Sequence, residues 1–211
     1  MKAIAITQAR IGSTRLPEKV LLKVGSESLL GLHLKRLSRA KSLNKIIVAT
    51  THELGSDKIC EIAAKYSIEC FKGSLDDVLD RFYRAALKES PDYVVRVTSD
   101  CPLLDPELVD QVVEEAVKGD FDYYANTLNE DFPDGQDVEV IKMSALKTAW
   151  EKADKKSERE HVTPFIRENS DFTEGDLFKA GDYKSHENFN HVRMTVDEPL
   201  DIEVIQWLVD E

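Results

Sequence analysis

The chain has 211 residues, 42% of them hydrophobic and 32% charged, with 40 acidic residues against 28 basic ones and a formal net charge of −12. A chain of this length buries roughly 70% of its unfolded surface and needs no disulfide staples. Its acidity argues against nonspecific nucleic-acid binding, so an anionic ligand must be held by a local cluster of cations. No apolar run approaches the roughly 18 residues of a membrane span, and Met1-Lys2 leads at once into a strand pattern rather than a signal-peptide core. The expectation is a cytoplasmic protein with no membrane and no nucleic-acid partner. Cys60, Cys70 and Cys101 are odd in number, widely spaced and free of any CxxC. That pattern suits a reducing compartment, and buried, unpaired thiols are expected.

Residues 2–6 (KAIAI) read as a buried strand and 29–40 as a helix with leucines at helical spacing. A second strand covers 45–50. The next helix covers 56–66, with Ser56 as its N-cap and Ile59, Ile62 and Ala63 on one face. Residues 67–71 form a short strand, 76–89 an amphipathic helix and 92–99 a third long strand. A helix over 106–118 starts on Pro106, with Asp105 as its N-cap. This βα alternation predicts an α/β fold: a mostly parallel sheet, helices on both faces, and ligands at the carboxyl ends of the strands.

Beyond about residue 120 the pattern changes. Residues 122–128 and 138–143 are strand-like, a polar Pro/Gly stretch lies between them, 144–156 is helical, and 157–189 is polar. Residues 128–190 are read as a small lobe inserted over the site, within a single domain spanning 1–211. Residues 191–196 (HVRMTV) return as a strand, and 199–211 close the chain as a helix.

The loop after the first strand, QARIGSTRLPEK at residues 8–19, gathers cations at a strand end. It is neither a Walker A loop nor a GxGxxG fingerprint. Gly12 lets the backbone approach an anion, Ser13 and Thr14 offer hydroxyls, and Arg10, Arg15 and Lys19 supply positive charge. Two readings stand side by side: a polyphosphate site, or a solvated basic loop capping a helix. Asp100 and Asp197 each follow a strand pattern and could share one cavity, as hard-oxygen ligands of Mg²⁺ or as turn residues beside Pro102 and Pro199. Asp201, one helical turn further on, is either a supporting acid or, the favoured reading, a first-turn acid matched to the helix dipole. Cys101, ahead of a proline, reads as buried and inert. Asp77 and Arg81, four apart on one helix, have the spacing of an intrahelical ion pair.

Six blocks carry a family resemblance: TQARIGSTRLPEKVLL (7–22), GSLDDVLDRFYRAA (73–86), VVRVTSDCPLLDP (94–106), YANTLNEDFPDGQDVEV (124–140), REHVTPFI (159–166) and RMTVDEPLD (193–201). In this order they resemble the cytidylyltransferases that activate acidic sugars. The branch named for spore-coat polysaccharide biosynthesis is the most similar, with the acylneuraminate and 3-deoxy-manno-octulosonate enzymes as its relations. The resemblance implies a nucleotide-diphosphosugar-transferase-like, Rossmann-like fold. It also implies transfer of CMP from CTP to an acidic sugar or phosphorylated metabolite, with release of pyrophosphate. By the same resemblance Mg²⁺ is the cofactor, held by Asp100 and Asp197, while Arg10, Arg15 and Lys19 act on the phosphates. Ala9, Gly12, Ser13, Thr14, Arg81 and Thr98 fall on the nucleotide side. Asn126, Asp137, Glu139 and His161 fall on the acceptor side, with Arg159 or Lys142 available to an acceptor carboxylate. A homodimer pairing through about 128–190 is implied as well. The chain departs from the acylneuraminate branch at KGS (72–74), which replaces an Arg-Pro pair that helps bind the base there. A UTP-using enzyme and a non-catalytic nucleotide-binding protein of the same fold are the alternatives.

Overall fold

Alternation of small and large side chains in β1 (Ala3–Gln8) sets the two faces of the central sheet. Ala3 and Ala5 face one side, packed with Leu37 of α1 (Leu29–Leu37) and with Val109, Val112 and Val113 of α4 (Pro106–Lys118). Ile4 and Ile6 face the other, against Leu79 and Phe82 of α3 (Val78–Leu87). The structure, a computed structural model, describes residues 1–13 and 15–210.

β1 lies between two parallel partners, β4 (Lys45–Thr51) and β6 (Tyr93–Thr98), with Ile6 opposite Ile47 and Arg96. Outside β4 runs β5 (Glu69–Gly73), also parallel. Beyond β6 the sheet turns mixed: β8 (Glu139–Lys142) is antiparallel to β6, β7 (Tyr123–Ala125) antiparallel to β8, and β9 (Ala180–Asp182) parallel to β7. The order is β5-β4-β1-β6-β8-β7-β9, with a separate two-stranded hairpin of β2 (Lys23–Val24) and β3 (Glu27–Ser28). Strand order reverses between β1 and β6, where α/β sheets open a crevice at their carboxyl ends.

α1, α4 and α2 (Asp57–Lys65) cover one face. α3, α5 (Met143–Lys152) and α7 (Pro164–Glu168) cover the other. α6 (Lys156–His161) packs on α3, and α8 (Pro199–Asp210) closes over the hairpin. The helix starts follow capping chemistry. Asp105 accepts from Glu107 N at 2.9 Å and Asp77 from Asp80 N at 2.8 Å. Ser56 precedes α2 but does not cap it, because its buried hydroxyl is turned to Thr51 Oγ1 at 3.2 Å.

Further expectations are corrected. Residues 128–190 do not form a lobe apart from the sheet: β8 and β9 are strands of it, and Ile141, Leu146, Val162 and Ile166 belong to the main core. Residues 191–196 are not a strand but an extended segment with a single bridge, Arg193 to Asp134. Gly135, at φ 109°, lets the 133–136 loop press against this segment, where a Cβ would stand 2.7 Å from the Met194 carbonyl carbon. Cys60 and Cys70 are joined in a disulfide that ties α2 to β5, with a Cα–Cα distance of 5.2 Å. Cys101 alone is a free, buried thiol.

Two polar residues expected to touch the acceptor are engaged within the protein. Glu139 pairs with Arg96 on β6 and accepts from Tyr123 Oη of β7 at 2.7 Å, so it locks three adjacent strands together. Asn126 spends its side-chain amide on Gln136 O at 2.7 Å and its carbonyl on Val138 N at 2.8 Å, pinning the loop that leads into β8. Both side chains are buried. Replacing Glu139 by Ala strands the Arg96 charge in the core, so a loss of about 3–5 kcal/mol is expected from the shift in denaturant midpoint. A loss under 1 kcal/mol would show that the pair does not carry the sheet.

Candidate active site

The carboxyl ends of β1 and β6 open into a cleft of about 320 Å³. A larger, shallower hollow of about 570 Å³ lies at the opposite, N-terminal ends of β4 and β5. Lys45 there is already neutralised by Glu69 and Glu89, both at 2.6 Å, so that hollow offers no charge for a ligand.

The β1 loop folds back on itself. Ser13 N and Glu18 N both donate to Ile11 O, at 2.9 and 3.2 Å, and Glu18 takes a left-handed φ of 55°. This returns Lys19 to the strand ends. On the other side, Val196 N donates to Asp100 O at 2.9 Å and Thr195 Oγ1 to the same carbonyl at 3.3 Å. These bonds set Asp197 beside Asp100, although nearly half the chain separates them. Asp201 then accepts from the backbone N–H of Asp197 and Glu198, at 2.7 and 2.8 Å. Arg193 gathers Asp134, Asp197 and Asp201 at 2.6, 3.1 and 3.1 Å. Asp201 is a first-turn acid of α8, as the favoured reading has it, and at the same time supports Asp197 from behind. Arg193, which holds the acid in place, was not singled out in the sequence, although it lies in the RMTVDEPLD block.

The two carboxylates meet on a cation. Lys19 Nζ lies 2.8 Å from Asp100 Oδ2, 2.9 Å from Asp197 Oδ1 and 3.0 Å from Val196 O. Arg15 Nη2 reaches Asp197 Oδ1 at 3.0 Å. Burial alone would lower the Lys19 pKa, but Asp100 and Asp197 outweigh it and hold it above the ordinary value. Burial would likewise raise Asp100, and Lys19 keeps it below the usual carboxylate range. Arg15 and Lys19 are therefore already partnered by the acids they were expected to face across a bound phosphate.

Other cations that line the cleft have no acid partner among the described residues. Arg81 is 2% exposed, donates to Ser74 O and leaves its buried Nε without a partner. Burial pushes its pKa down to about 10, helped by the neighbouring Arg10. Gly73 makes room for it, since a Cβ there would sit 2.9 Å from Arg81 Cγ. The expected Asp77–Arg81 pair is absent, because Asp77 is engaged by Arg159 Nε at 3.0 and 3.1 Å. Among the described residues Arg10, Arg81 and Lys156 form no ion pair, and all three line the cleft.

Ala9, Ser13, Thr98 and His161 line the same cleft. Gly12 does not; it packs against the Glu53 carboxylate. Asn126, Asp137 and Glu139 are not among the lining residues, and Thr14 lies outside the described residues. His161 is set at the mouth by a γ-turn on Val162 (φ 72°, ψ −54°), closed by Thr163 N to His161 O at 2.9 Å. Lys156 and Glu160 of α6 join the wall without having been identified in the sequence. Their i, i+4 spacing was the available signal, but in a polar stretch it does not stand out. Two carboxylates that share Lys19, and three cations without an ion pair among the described residues, thus line one cleft at two strand ends.

Among the described residues no helix is long and apolar enough to cross a membrane. The cytidylyltransferase family model matches residues 4–208. An uncharacterized protein of Methanocaldococcus jannaschii is 42% identical over 197 residues, covering 93% of this chain and 79% of that one. The spore coat polysaccharide biosynthesis protein SpsF of Bacillus subtilis is 31% identical over 212 residues, covering 96% and 84%. A solved cytidylyltransferase structure from Leptospira borgpetersenii superposes with a TM-score of 0.93 at 34% identity, covering 100% of this chain and 87% of that one. With its cleft at the β1/β6 strand ends and its match along nearly its whole length, the chain belongs to the cytidylyltransferase family and is a CTP-using nucleotidyltransferase.

Proposed function

We propose that this enzyme transfers CMP from CTP to an acidic sugar or similar small polar acceptor for surface polysaccharide, releasing pyrophosphate. The carrying observation is Arg81, a buried guanidinium with no acid partner that faces the cleft beside Arg10 and Lys156. Burying a charge of this kind costs free energy that an anion in the cleft would offset, and a triphosphate supplies such an anion. The similarity to a spore coat polysaccharide protein supports the glycan assignment.

An acceptor oxygen attacks the α-phosphorus and forms the new P–O bond. The bond from the α-phosphorus to the bridging oxygen breaks, and pyrophosphate leaves with that electron pair. Arg10, Arg81 and Lys156 hold the phosphates in line for this displacement. Asp100 and Asp197, which already share one cation, make a hard-oxygen pair of the kind Mg²⁺ uses together with phosphate oxygens. The chemistry such an ion supplies is neutralisation of the charge that builds on the α-phosphate and pyrophosphate. His161 and Glu160 offer polar groups at the mouth to the acceptor.

Asp137 lies beyond Asp100, beside the Arg96–Glu139 pair, and its carboxylate accepts no hydrogen bond among the described residues. Burial, and then Glu139, push its pKa up to about 6 from an ordinary 3.8.

The deciding measurement is pyrophosphate release from CTP and Mg²⁺ across a panel of acidic sugars and phosphorylated acceptors. Turnover with at least one acceptor is expected, reduced about 10²–10³-fold in Asp100→Asn and Asp197→Asn with folding retained. Full activity in both variants would remove the metal assignment. Arg81→Met should leave the CTP-free protein as stable as wild type or more so, while the thermal shift produced by CTP shrinks. An unchanged CTP shift would remove Arg81 from the phosphate site. For Asp137 the folded pKa is the raised one, so its contribution to stability is full below about pH 3.8 and lost as pH rises through about 6. Asp137→Asn should therefore stabilise the protein by about 1–3 kcal/mol above pH 6 and by almost nothing below pH 4, read from melts across that range. A pH-independent difference would show that the Asp137 carboxyl is not perturbed.

A further inference from the structure

The Lys19 ammonium has three hydrogens, and each points to an oxygen: Asp100 Oδ2 at 2.8 Å, Asp197 Oδ1 at 2.9 Å and Val196 O at 3.0 Å. The oxygens converge on one point, and a side-chain cation occupies it. Arg15 adds a second cation on Asp197 Oδ1 at 3.0 Å, and Arg193 holds Asp197 Oδ2 at 3.1 Å. Asp197 thus has both oxygens committed to cations of the chain itself. The Lys19 side chain is only 14% exposed, so pulling its charge away without a new anion leaves it poorly solvated. The same cleft, lined also by Arg10, Arg81 and Lys156, is where a triphosphate would bring such an anion within reach.

We infer that Lys19 is a resident counter-ion that bars divalent metal from the Asp100–Asp197 pair until a nucleotide triphosphate gives its ammonium another partner. The inference rests on the reading of Asp100 and Asp197 as the metal-holding pair and adds an order to it. Metal alone must displace an ammonium that has nowhere to go. With the triphosphate present, Lys19 swings on its flexible four-carbon stem from carboxylate to phosphate, and Arg15, 63% exposed, follows without a burial cost. Metal and nucleotide are then linked, each raising the affinity for the other by the same factor. The device keeps two adjacent carboxylates from repelling one another in the resting enzyme and admits metal together with its substrate. Lys19 is a positioning residue for the metal as well as a phosphate ligand.

The test is Mn²⁺ binding to the full chain, followed by the loss of the free Mn²⁺ signal in electron paramagnetic resonance, without nucleotide. Wild type should bind Mn²⁺ weakly. Lys19→Met and Lys19→Gln should each bind it at least about tenfold more tightly, because the carboxylate pair is left needing a cation. Mg²⁺ alone should raise the melting temperature of these variants and leave wild type unmoved. If both variants bind Mn²⁺ no better than wild type, or if wild type without nucleotide binds it as tightly as they do, the inference is overturned. Adding Asp100→Asn and Asp197→Asn to Lys19→Met separates the two levels. Loss of the gained affinity supports the inference. Affinity that survives both changes places Mn²⁺ elsewhere and overturns the metal assignment along with it. CTP-dependent Mn²⁺ binding that needs both aspartates, with no gain in the Lys19 variants, overturns the Lys19 inference alone.

Discussion

The site exists because the backbone amide of Val196 is donated to the carbonyl of Asp100. Nothing in the sheet requires the last tenth of the chain to visit the carboxyl end of β6. That bond, with the Thr195 hydroxyl beside it, converts an extended segment into the second wall of the cleft. Everything electrostatic follows from it. Once Asp197 stands next to Asp100, two like charges share a confined space and a cation must stand between them. The β1 loop supplies one because its own backbone bonds turn it back toward the strand ends. Arg193 and Asp201 then fix Asp197 from behind, so its position does not depend on the ligand.

The acidic surface and the cationic cleft of this chain are parts of one arrangement. Surface acids keep a protein of net charge −12 soluble and discourage polyanions in general. The cations that matter are few, and the structure sorts them into two kinds. Lys19 and Arg15 are satisfied at rest, whereas Arg10, Arg81 and Lys156 are not. Arg10 and Lys156 are exposed, whereas Arg81 is buried with its Nε unpartnered, so the free-energy cost of an unpaired cation is located at one residue.

Much of this was legible in the sequence where a single local rule governed. Strand and helix periods gave β1, β4, β6, α3 and α4 to within a residue or two, and Asp105 was read correctly as a cap from its place before Pro106. The family blocks located the cleft. What stayed hidden was pairing across distance. HVRMTV has the composition of a strand, yet it finds one loop and one carbonyl rather than a neighbouring strand, and no sequence rule reports the missing partner. Cys60 and Cys70 are ten residues apart, on a helix and on the strand after it, and nothing in that spacing announces that they meet. Glu139 and Asn126 are polar residues in a block with a functional look, and their burial in structural bonds becomes visible only with Arg96, Tyr123 and Gln136 in place. The Asp77–Arg81 pair failed because a second arginine, Arg159, competed from outside the helix.

That competition has a mechanical consequence. Asp77 closes the first turn of α3 through Asp80 N and at the same time clamps Arg159 of α6. Arg159 in turn holds the Trp150 carbonyl at 2.7 Å, at the end of α5. One carboxylate therefore joins the floor of the nucleotide wall to the helix that carries Lys156 and Glu160. α6 has no freedom to swing as a lid without also fraying α3 and exposing the segment that places Arg81. The spacing of α3, α5 and α6 beside the cleft is therefore a built dimension of the fold.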